Sequence, residues 1–351
     1  MTTQETLNRR VVLASRPQEA ADLSHFRLES VPIASPREGE VLLRTVWLSL
    51  DPYMRGRMTD GPSYAAPVAI GEVMVGGTVA RVEQSRNPNF RPGDWVLAGS
   101  GWQQYAISDG AGLVKLPPAM PSPSYALGVL GMTGFTAYVG LLDIGKPQAK
   151  ETVVVSAATG AVGSIVGQIA KIKGCRVVGV AGGPDKCAWA VKELEFDACV
   201  DHRSEALDAQ LAAACPGGVD VYYENVGGKT FKAVLPLLNT HARIPLCGLI
   251  SQYNERPPPG ARGDSQSSLM RAFLIKQISV RGFIIGFGFD HRRPEFLHTM
   301  SAWLREGRIK YREDIVQGLE HAPQAFLGLL AGKNFGKLVV KVADVVPEGA
   351  N

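Results

Sequence analysis

Along the first third of the chain, apolar and polar positions alternate in short runs. "VVLASRP", "FRLESVPI", "EVLLRTVWLSL", "GGTVARVEQS", "GDWVLAGSGWQQYAIS" and "GLVKLP" are rich in β-branched and aromatic residues, and Gly, Pro, Asp and Asn punctuate them. Short runs of this composition between turn residues predict strands. The "RPGDWVLAG" turn and strand suggest a compact, largely antiparallel barrel. Near Pro117–Ser124 the texture changes. "LPPAMPSPS" is a proline-rich connector, and "YALGVLGMTGFTAYVGLLDIG" reads as helix broken by glycines.

From Thr152 the runs become apolar on both faces and alternate with helical stretches: "TVVVSA", helix, "CRVVGVAG", helix, "ACVD", helix, "DVYYEN", helix, "ARIPLCG". Strands buried on both faces belong to parallel sheets, and the alternation is that of βαβ units. A loop, "YNERPPPGARGDSQSS", follows the fifth strand of this series. "KQISVRGFIIGF" supplies another strand, "RPEFLHTMSAWLREGRI" an amphipathic helix, and "FGKLVVKVAD" a strand suited to return to the first domain. The expected fold class is α/β: a doubly wound parallel-sheet domain over 128–308, and a β-rich, barrel-like domain over 1–127 and 309–351.

Composition narrows the picture. With 351 residues, 45% hydrophobic and 20% charged, the chain has the make-up of a soluble globular protein with a full core. A net charge of +4, scattered along the chain, argues against nucleic acid as a partner. No uninterrupted apolar run reaches the roughly 18 residues of a membrane span, and "MTTQETLNRRVVLASRP" has no apolar signal core, so a cytoplasmic location is expected. The five cysteines are odd in number, dispersed and without a C-x-x-C, so reduced thiols are expected rather than a structural zinc site.

The chemistry begins at Ala157-x-x-Gly160-x-x-Gly163, between a strand and a helix. Gly160 would let backbone approach a pyrophosphate, and Gly163 would let helix and strand pack closely. The helix N-terminus then offers N–H groups and a positive dipole end to phosphate. Many NAD-binding chains place an acid after the second strand to bind the adenosine ribose. Here that strand ends in Gly182-Gly183, and Lys186 opens the next helix, where it could pair with a 2′-phosphate. Arg203, after the third strand, could assist. NADP(H) is therefore favoured, while Asp185 keeps NAD possible.

Six segments then carry a resemblance: "LSLDPYMRGRM" (Leu48–Met58), "AATGAVGS" (Ala157–Ser164), "YYENVGG" (Tyr222–Gly228), "CGLISQYN" (Cys247–Asn254), "GFIIGF" (Gly282–Phe287) and "GKNFGKLVV" (Gly332–Val340). In these the chain resembles the zinc-independent medium-chain dehydrogenases/reductases, in the branch of the prostaglandin, leukotriene and alkenal reductases that includes bacterial curcumin-type reductases. The resemblance implies a GroES-like catalytic domain and a Rossmann domain. It implies a homodimer joined through the edge strand near Ile278–Ile285. It implies that Gly160, Ala161, Val162, Gly163 and Ser164 meet the pyrophosphate, and that Gly182, Lys186, His202 and Arg203 surround the 2′-phosphate. Asn225, Cys247, Gly248, Ser251 and Tyr253 would border the nicotinamide, with Phe283, Ile284, Ile285 and Asn334 closing over the cofactor. His202 stands where some relatives carry tyrosine, which would make cofactor affinity depend on pH. Zinc alcohol dehydrogenases of the same superfamily carry Cys and Gly-His-Glu ligands in their first domain. The equivalent region here is "AIGEVMVGG", and the first 174 residues hold one His and no Cys. No metal is expected.

Without a metal, hydride transfer needs an acceptor that is already electron-poor, such as a double bond conjugated to a carbonyl. Hydride adds to the β-carbon, charge gathers on the carbonyl oxygen, and a hydroxyl donor near that oxygen would stabilise the enolate. Water or a tyrosine then delivers a proton to the α-carbon. Tyr253 is the first candidate donor, Tyr53 the second and Tyr64 the third. A loop tyrosine covering apolar surface and a barrel-packing aromatic are the alternatives for Tyr253 and Tyr53. Asp51 and Arg55 are expected to brace their loop. The expected activity is NADPH-dependent reduction of α,β-unsaturated aldehydes or ketones, with a small hydrophobic enone or alkenal as partner. A quinone reductase of the same superfamily, an NADP-dependent alcohol oxidation and a non-catalytic nucleotide-binding protein are the rivals.

Overall fold

The computed structural model describes residues 7–61, 63–118, 120–254 and 265–344. The chain forms two compact units. The first runs to Gly128 and takes up Glu313–Asn334 and the stretch from Leu338; the second holds Val129–Arg312 and Phe335–Lys337.

The first unit starts with an antiparallel ribbon, β1 (Leu7–Leu13) against β2 (Phe26–Pro32). Then come β3 (Val41–Ser49), β4 (Thr78–Ser85), β5 (Trp95–Ala98), β6 (Tyr105–Ser108) and β7 (Val114–Lys115). β3 is buried along nearly its whole length because it pairs antiparallel with both β4 and β6. Trp102 stacks on Phe26 with ring centres 5.6 Å apart and meets Phe326 edge-on at 5.6 Å. Around them pack Val11, Leu48, Met54, Met58 and Val340.

The second unit opens with α1 (Met132–Val139), continued by a wider π-type turn, Gly140–Gly145. A Cβ on Gly140 would lie 2.3 Å from the Tyr223 hydroxyl and 2.6 Å from the Phe283 ring, so only glycine lets these aromatics close onto the helix. Five βα steps follow: β8 (Thr152–Ser156), α2 (Gly163–Ile172), β9 (Arg176–Ala181), α3 (Pro184–Lys192), β10 (Ala198–Asp201), α4 (Leu207–Ala214), β11 (Val219–Tyr223), α5 (Gly228–Val234), β12 (Leu238–Leu246) and α6 (Ser265–Ile275). β13 (Ser279–Gly282) and α7 (Arg293–Arg305) complete the unit. All six strands are parallel, in the order β10-β9-β8-β11-β12-β13. This is the doubly wound order that the alternating pattern implies. β8 is buried at all five positions, as a central parallel strand must be.

The chain ends its described part with β14 (Glu313–Gln317), α8 (Ala322–Leu330) and β15 (Lys337–Lys341). β15 pairs antiparallel with β3, completing a seven-stranded sheet of order β14-β15-β3-β4-β5-β7 with β6 on β3.

Two segments depart from the pattern-based reading. The loop expected over Tyr253–Ser268 ends earlier, because α6 starts at Ser265; residues 255–264, and with them any flap, lie outside the described residues. The strand expected through Phe287 stops at Gly282. Phe283 turns inward, edge-on to Tyr223 and Phe289, and Phe287 N–H bonds back to Ile284 at 3.0 Å in a turn. Phe287 is 61% exposed in the single chain. Among the described residues, no helix is long and apolar enough to cross a membrane.

Candidate active site

The parallel sheet reverses direction of growth between β8 and β11. Chains leaving the carboxyl ends of these strands go to opposite faces and leave a crevice, the usual ligand position in such sheets. A buried carboxylate holds the two strand ends there. Glu224, fully buried just beyond β11, accepts from Ser156 Oγ at 2.9 Å, from Tyr222 OH at 2.9 Å and from the Val226 N–H at 2.6 Å. Its own backbone carbonyl takes the N–H groups of Cys247 and Gly248 at 2.9 and 3.2 Å. Ser156 in turn binds both ends of Asn225: Oγ accepts the backbone N–H at 2.8 Å and the carbonyl accepts Nδ2 at 2.8 Å. The sequence reading named neither Glu224 nor Ser156. The available signal was an acid directly after the wholly apolar run "VYY".

The glycine-punctuated turn lies beside this knot. Ala157 adopts φ +50°, an uncommon left-handed conformation for a residue with a side chain. A Cβ on Gly163 would sit 2.3 Å from the Ala157 carbonyl oxygen, so the turn requires glycine there for closeness of approach. α2 starts at Gly163 with no side-chain cap; the N–H groups of Ser164, Ile165 and Val166 bond back to the carbonyls of Gly160 and Val162 at 3.1, 3.1 and 3.0 Å, and the positive end of the helix dipole faces the turn. Gly336 N–H bonds to the Thr159 carbonyl at 3.0 Å and bridges Gly160. Phe335, next to it, lies under the Arg312 guanidinium at 4.0 Å and edge-on to Trp189 of α3.

At the end of β9, the Gly182-Gly183 turn is covered by basic groups. A methyl on Gly182 would come within 2.9 Å of His202 Nε2 and 3.3 Å of Arg203 Nη2. Gly183 has φ +95°, which favours glycine. Burial lowers the His202 pKa; Asp201 opposes this, and Arg203, Lys186 and Lys229 add to it. His202 and Arg203 thus lie against the turn, Lys186 and Lys229 act electrostatically on His202, and Lys229 is one that sequence reasoning missed. Asp201 is engaged by backbone: its Oδ1 accepts Gly183 N–H at 3.0 Å and Arg203 N–H at 2.9 Å. Burial pushes its pKa up, but these two bonds outweigh that and hold it below the usual range. A glycine turn leading into a helix N-terminus and basic groups at the end of β9 together suit a dinucleotide carrying an extra phosphate.

On the far side of the crevice, Ser251 Oγ donates to the Val226 carbonyl at 2.6 Å. The Tyr253 hydroxyl folds back on the same arc, accepting from Leu249 N–H at 3.5 Å, above Gly248. Desolvation pushes the Cys247 thiol up to about 12, although part of the residue stays accessible. Phe283 is buried, Ile285 half-buried and Ile284 exposed. Asn334 belongs to the first unit, as do Tyr53 and Tyr64. These two tyrosines are electrostatic neighbours, beside Asp51 and Arg57. Burial, then Asp51, raises Tyr53 well above the ordinary phenol value, and burial raises Tyr64. Asp51 accepts from Ser49 Oγ, and Arg55 donates to the Glu19 carbonyl at 2.6 Å. Among the described residues, no group of three or more His, Cys, Asp or Glu side chains is placed to hold a metal ion.

A chain that joins a doubly wound nucleotide unit and a β-rich unit, with this turn chemistry, defines an oxidoreductase of the medium-chain dehydrogenase/reductase family, and this chain belongs to it. Residues 9–116 match the family model described as the N-terminal domain of oxidoreductase, and residues 161–302 match the one described as zinc-binding dehydrogenase. Within the family the chain falls in the branch of the curcumin and prostaglandin reductases. It is 60% identical to the NADPH-dependent curcumin reductase of Escherichia coli, over 98% of this chain and 99% of that one. It is 43% identical to prostaglandin reductase 1 of Rattus norvegicus, over 91% and 94%. The crystal structure of CurA in complex with NADPH from Vibrio vulnificus superposes with a TM-score of 0.93 at 58% identity, covering 96% of this chain and 100% of that one.

The carboxylate knot has a measurable weight. Glu224→Ala takes the carboxylate acceptor from the buried Tyr222 phenol and the part-buried Val226 N–H, while the Ser156 hydroxyl keeps the Tyr223 carbonyl at 3.3 Å; a buried orphan costs about 1–3 kcal/mol. Unfolding in urea should show a loss of about 2 kcal/mol or more for Glu224→Ala and a clearly smaller one for Glu224→Gln, which keeps an acceptor. A loss under about 1 kcal/mol for the alanine variant would remove the knot from the account.

Proposed function

We propose that this chain reduces the carbon–carbon double bond of α,β-unsaturated aldehydes and ketones, with NADPH as the reductant. The observation that carries the reading is the Gly182-Gly183 turn, where His202, Arg203, Lys186 and Lys229 gather and the neighbouring carboxylate, Asp201, is occupied by backbone N–H groups. The likeness along the whole chain to a protein named NADPH-dependent curcumin reductase supports the same reading. NADPH, when bound, supplies the hydride.

The chain's own residues then have these tasks. Gly160, Ala161, Val162, Gly163 and Ser164 receive the pyrophosphate. Gly182, Lys186, His202, Arg203 and Lys229 receive the 2′-phosphate. Asn225, Cys247, Gly248 and Ser251 border the nicotinamide, and Phe283, Ile284, Ile285 and Asn334 add cofactor contacts. Tyr253 donates its hydroxyl hydrogen to the carbonyl oxygen as negative charge develops there, the role of an oxyanion donor. Tyr53 and Tyr64 serve the substrate; their phenols, raised by burial, stay protonated at neutral pH and act as neutral donors.

We also propose a homodimer through the edge of the parallel sheet. All four residues of β13 are exposed, and its outer backbone edge offers a template for a second copy. Apolar side chains at Val280, Leu274 and Ile275 lie exposed on this edge strand and its preceding helix.

NADPH and NADH consumption should be followed with short alkenals, cyclic enones, long-chain oxo-lipids and quinones. Enones should turn over with a kcat/KM for NADPH at least about tenfold above that for NADH, and Lys186→Ala should erase the preference. Tyr253→Phe should lower kcat about a hundredfold, the usual weight of one oxyanion donor. Better turnover with NADH would end the cofactor assignment, and turnover of quinones alone would end the double-bond assignment.

The depressed pKa of His202 makes nucleotide affinity pH-dependent with a definite sign. A 2′-phosphate favours the imidazolium, so binding takes up a proton, and affinity for NADPH should rise as pH falls from 8 to 6.5, by no more than about tenfold per unit. NADH should show no such slope, and His202→Gln should flatten it; fluorescence titration of the cofactor reads both. A slope of the opposite sign would exclude His202 from the phosphate site.

Light scattering should give the wild-type chain twice its 37.6 kDa mass. Val280→Pro, which removes an edge donor, should give the monomer. A monomeric wild type would sink the edge-to-edge assembly.

A further inference from the structure

Two thiols meet where α3 packs on β10. Cys187 lies on the second turn of α3, its N–H bonded to the Gly183 carbonyl at 3.2 Å. Cys199 sits in β10 opposite Gly179 of β9, and that glycine leaves the room its sulfur fills: a Cβ there would stand 3.0 Å from Sγ. The Cys187 and Cys199 side chains are hydrogen-bonded to each other, and neither residue is fully buried. The other thiols have different surroundings. Cys175 donates to the Gln148 carbonyl, Cys247 engages Tyr223, and Cys215 is buried.

Both members of the pair border the basic turn. Lys186 immediately precedes Cys187. Asp201 lies two residues beyond Cys199 and holds the backbone of Gly183 and Arg203. A disulfide needs its sulfurs at about 2.05 Å, much closer than hydrogen-bonded thiols stand. Closing the bond therefore draws α3 and β10 together and shifts the groups that flank them.

We propose that Cys187 and Cys199 form a reversible disulfide with a hydroperoxide as oxidant, and that closing it weakens the adjoining 2′-phosphate site; this second clause rests on the function proposed above. The Cys187 sulfur attacks the peroxide, the O–O bond breaks, and Cys187 becomes a sulfenic acid while the alcohol or water leaves with the thiol's proton. The Cys199 sulfur then attacks the Cys187 sulfur, and the departing hydroxide takes the Cys199 proton as water. Two thiols and one hydroperoxide give one disulfide, one alcohol (water for hydrogen peroxide) and one water; the sulfurs lose the two electrons that the peroxide gains. A dithiol reverses the step by exchange. Cys187, on the helix, is the less enclosed of the two sulfurs and so is the one a hydroperoxide reaches first.

The test uses the full chain, treated with one equivalent of hydrogen peroxide, with and without NADPH. Titratable thiols in the denatured protein should fall from five to three, and non-reducing peptide mapping should recover the 187–199 link. The Kd for NADPH should rise at least about fivefold and return with dithiothreitol, and bound NADPH should slow the oxidation by the same coupling. Cys187→Ser should bind NADPH as the reduced wild type does, yet show neither the link nor the rise. Sulfinic or sulfonic acid at Cys187 without the link, or the link with unchanged Kd, would overturn the proposal. A reduced wild type that prefers NADH would instead strike the function proposed above, and the linked peptide would still decide the disulfide.

Discussion

The hydrogen-bonded carboxylate of Glu224 is the interaction on which the nucleotide unit's crevice depends. Strands of a parallel sheet lie side by side through backbone bonds, but at the reversal between β8 and β11 the emerging chains part and those bonds end. Glu224 joins the two ends across that break through Ser156, Tyr222 and Val226. Burying a carboxylate costs several kcal/mol, and only a full set of donors offsets it. The donors here come from both strand ends, so the charge is satisfied only when they sit in their observed places. Asn225 is then held by Ser156, and the arc from Cys247 to Tyr253 starts from the Glu224 carbonyl. One buried charge therefore orders two of the candidate cofactor-bordering segments.

A second constraint is electrostatic and local. The chain as a whole carries only +4, yet the turn after β9 draws basic groups from α3, from the segment after β10 and from α5. Asp201 sits among them and offsets part of their charge, while its Oδ1 is held by the N–H groups of Gly183 and Arg203. A carboxylate close to this turn would ordinarily argue for a ribose. Here its Oδ1 ties the turn after β9 to the segment after β10. The thiol pair shares the same packing, so the helix and strand that shape the charge cluster also carry redox-sensitive groups.

How far the sequence led can be judged element by element. The central parallel strands β8 and β9 were legible because they are nearly unbroken apolar runs, as burial on both faces requires. The glycine turn was legible because Gly163 serves local crowding against Ala157, a matter of seven consecutive residues. The β-rich first unit was legible from its short punctuated runs. The end of β13 was not, since "GFIIGF" reads as strand, and the inward turn of Phe283 is set by aromatic contacts with Tyr223 and Phe289.

The amino-acid order alone therefore determined the local periods: which segments are strands, which are helices, and where glycine must stand. It could not decide which side chains from distant segments share a point in space. Lys229 joins His202 and Lys186 because β11 crosses to the far side of β8 and returns α5 beside the β10 loop. Cys187 meets Cys199 because α3 packs on β10, and Ser156 meets Glu224 across 68 residues because parallel strands in different βα units become neighbours. Hydrophobic periodicity carries information only over a turn or two of chain. Charge clusters, thiol pairs and buried carboxylate knots arise from strand order, which is settled when the whole sheet buries its faces.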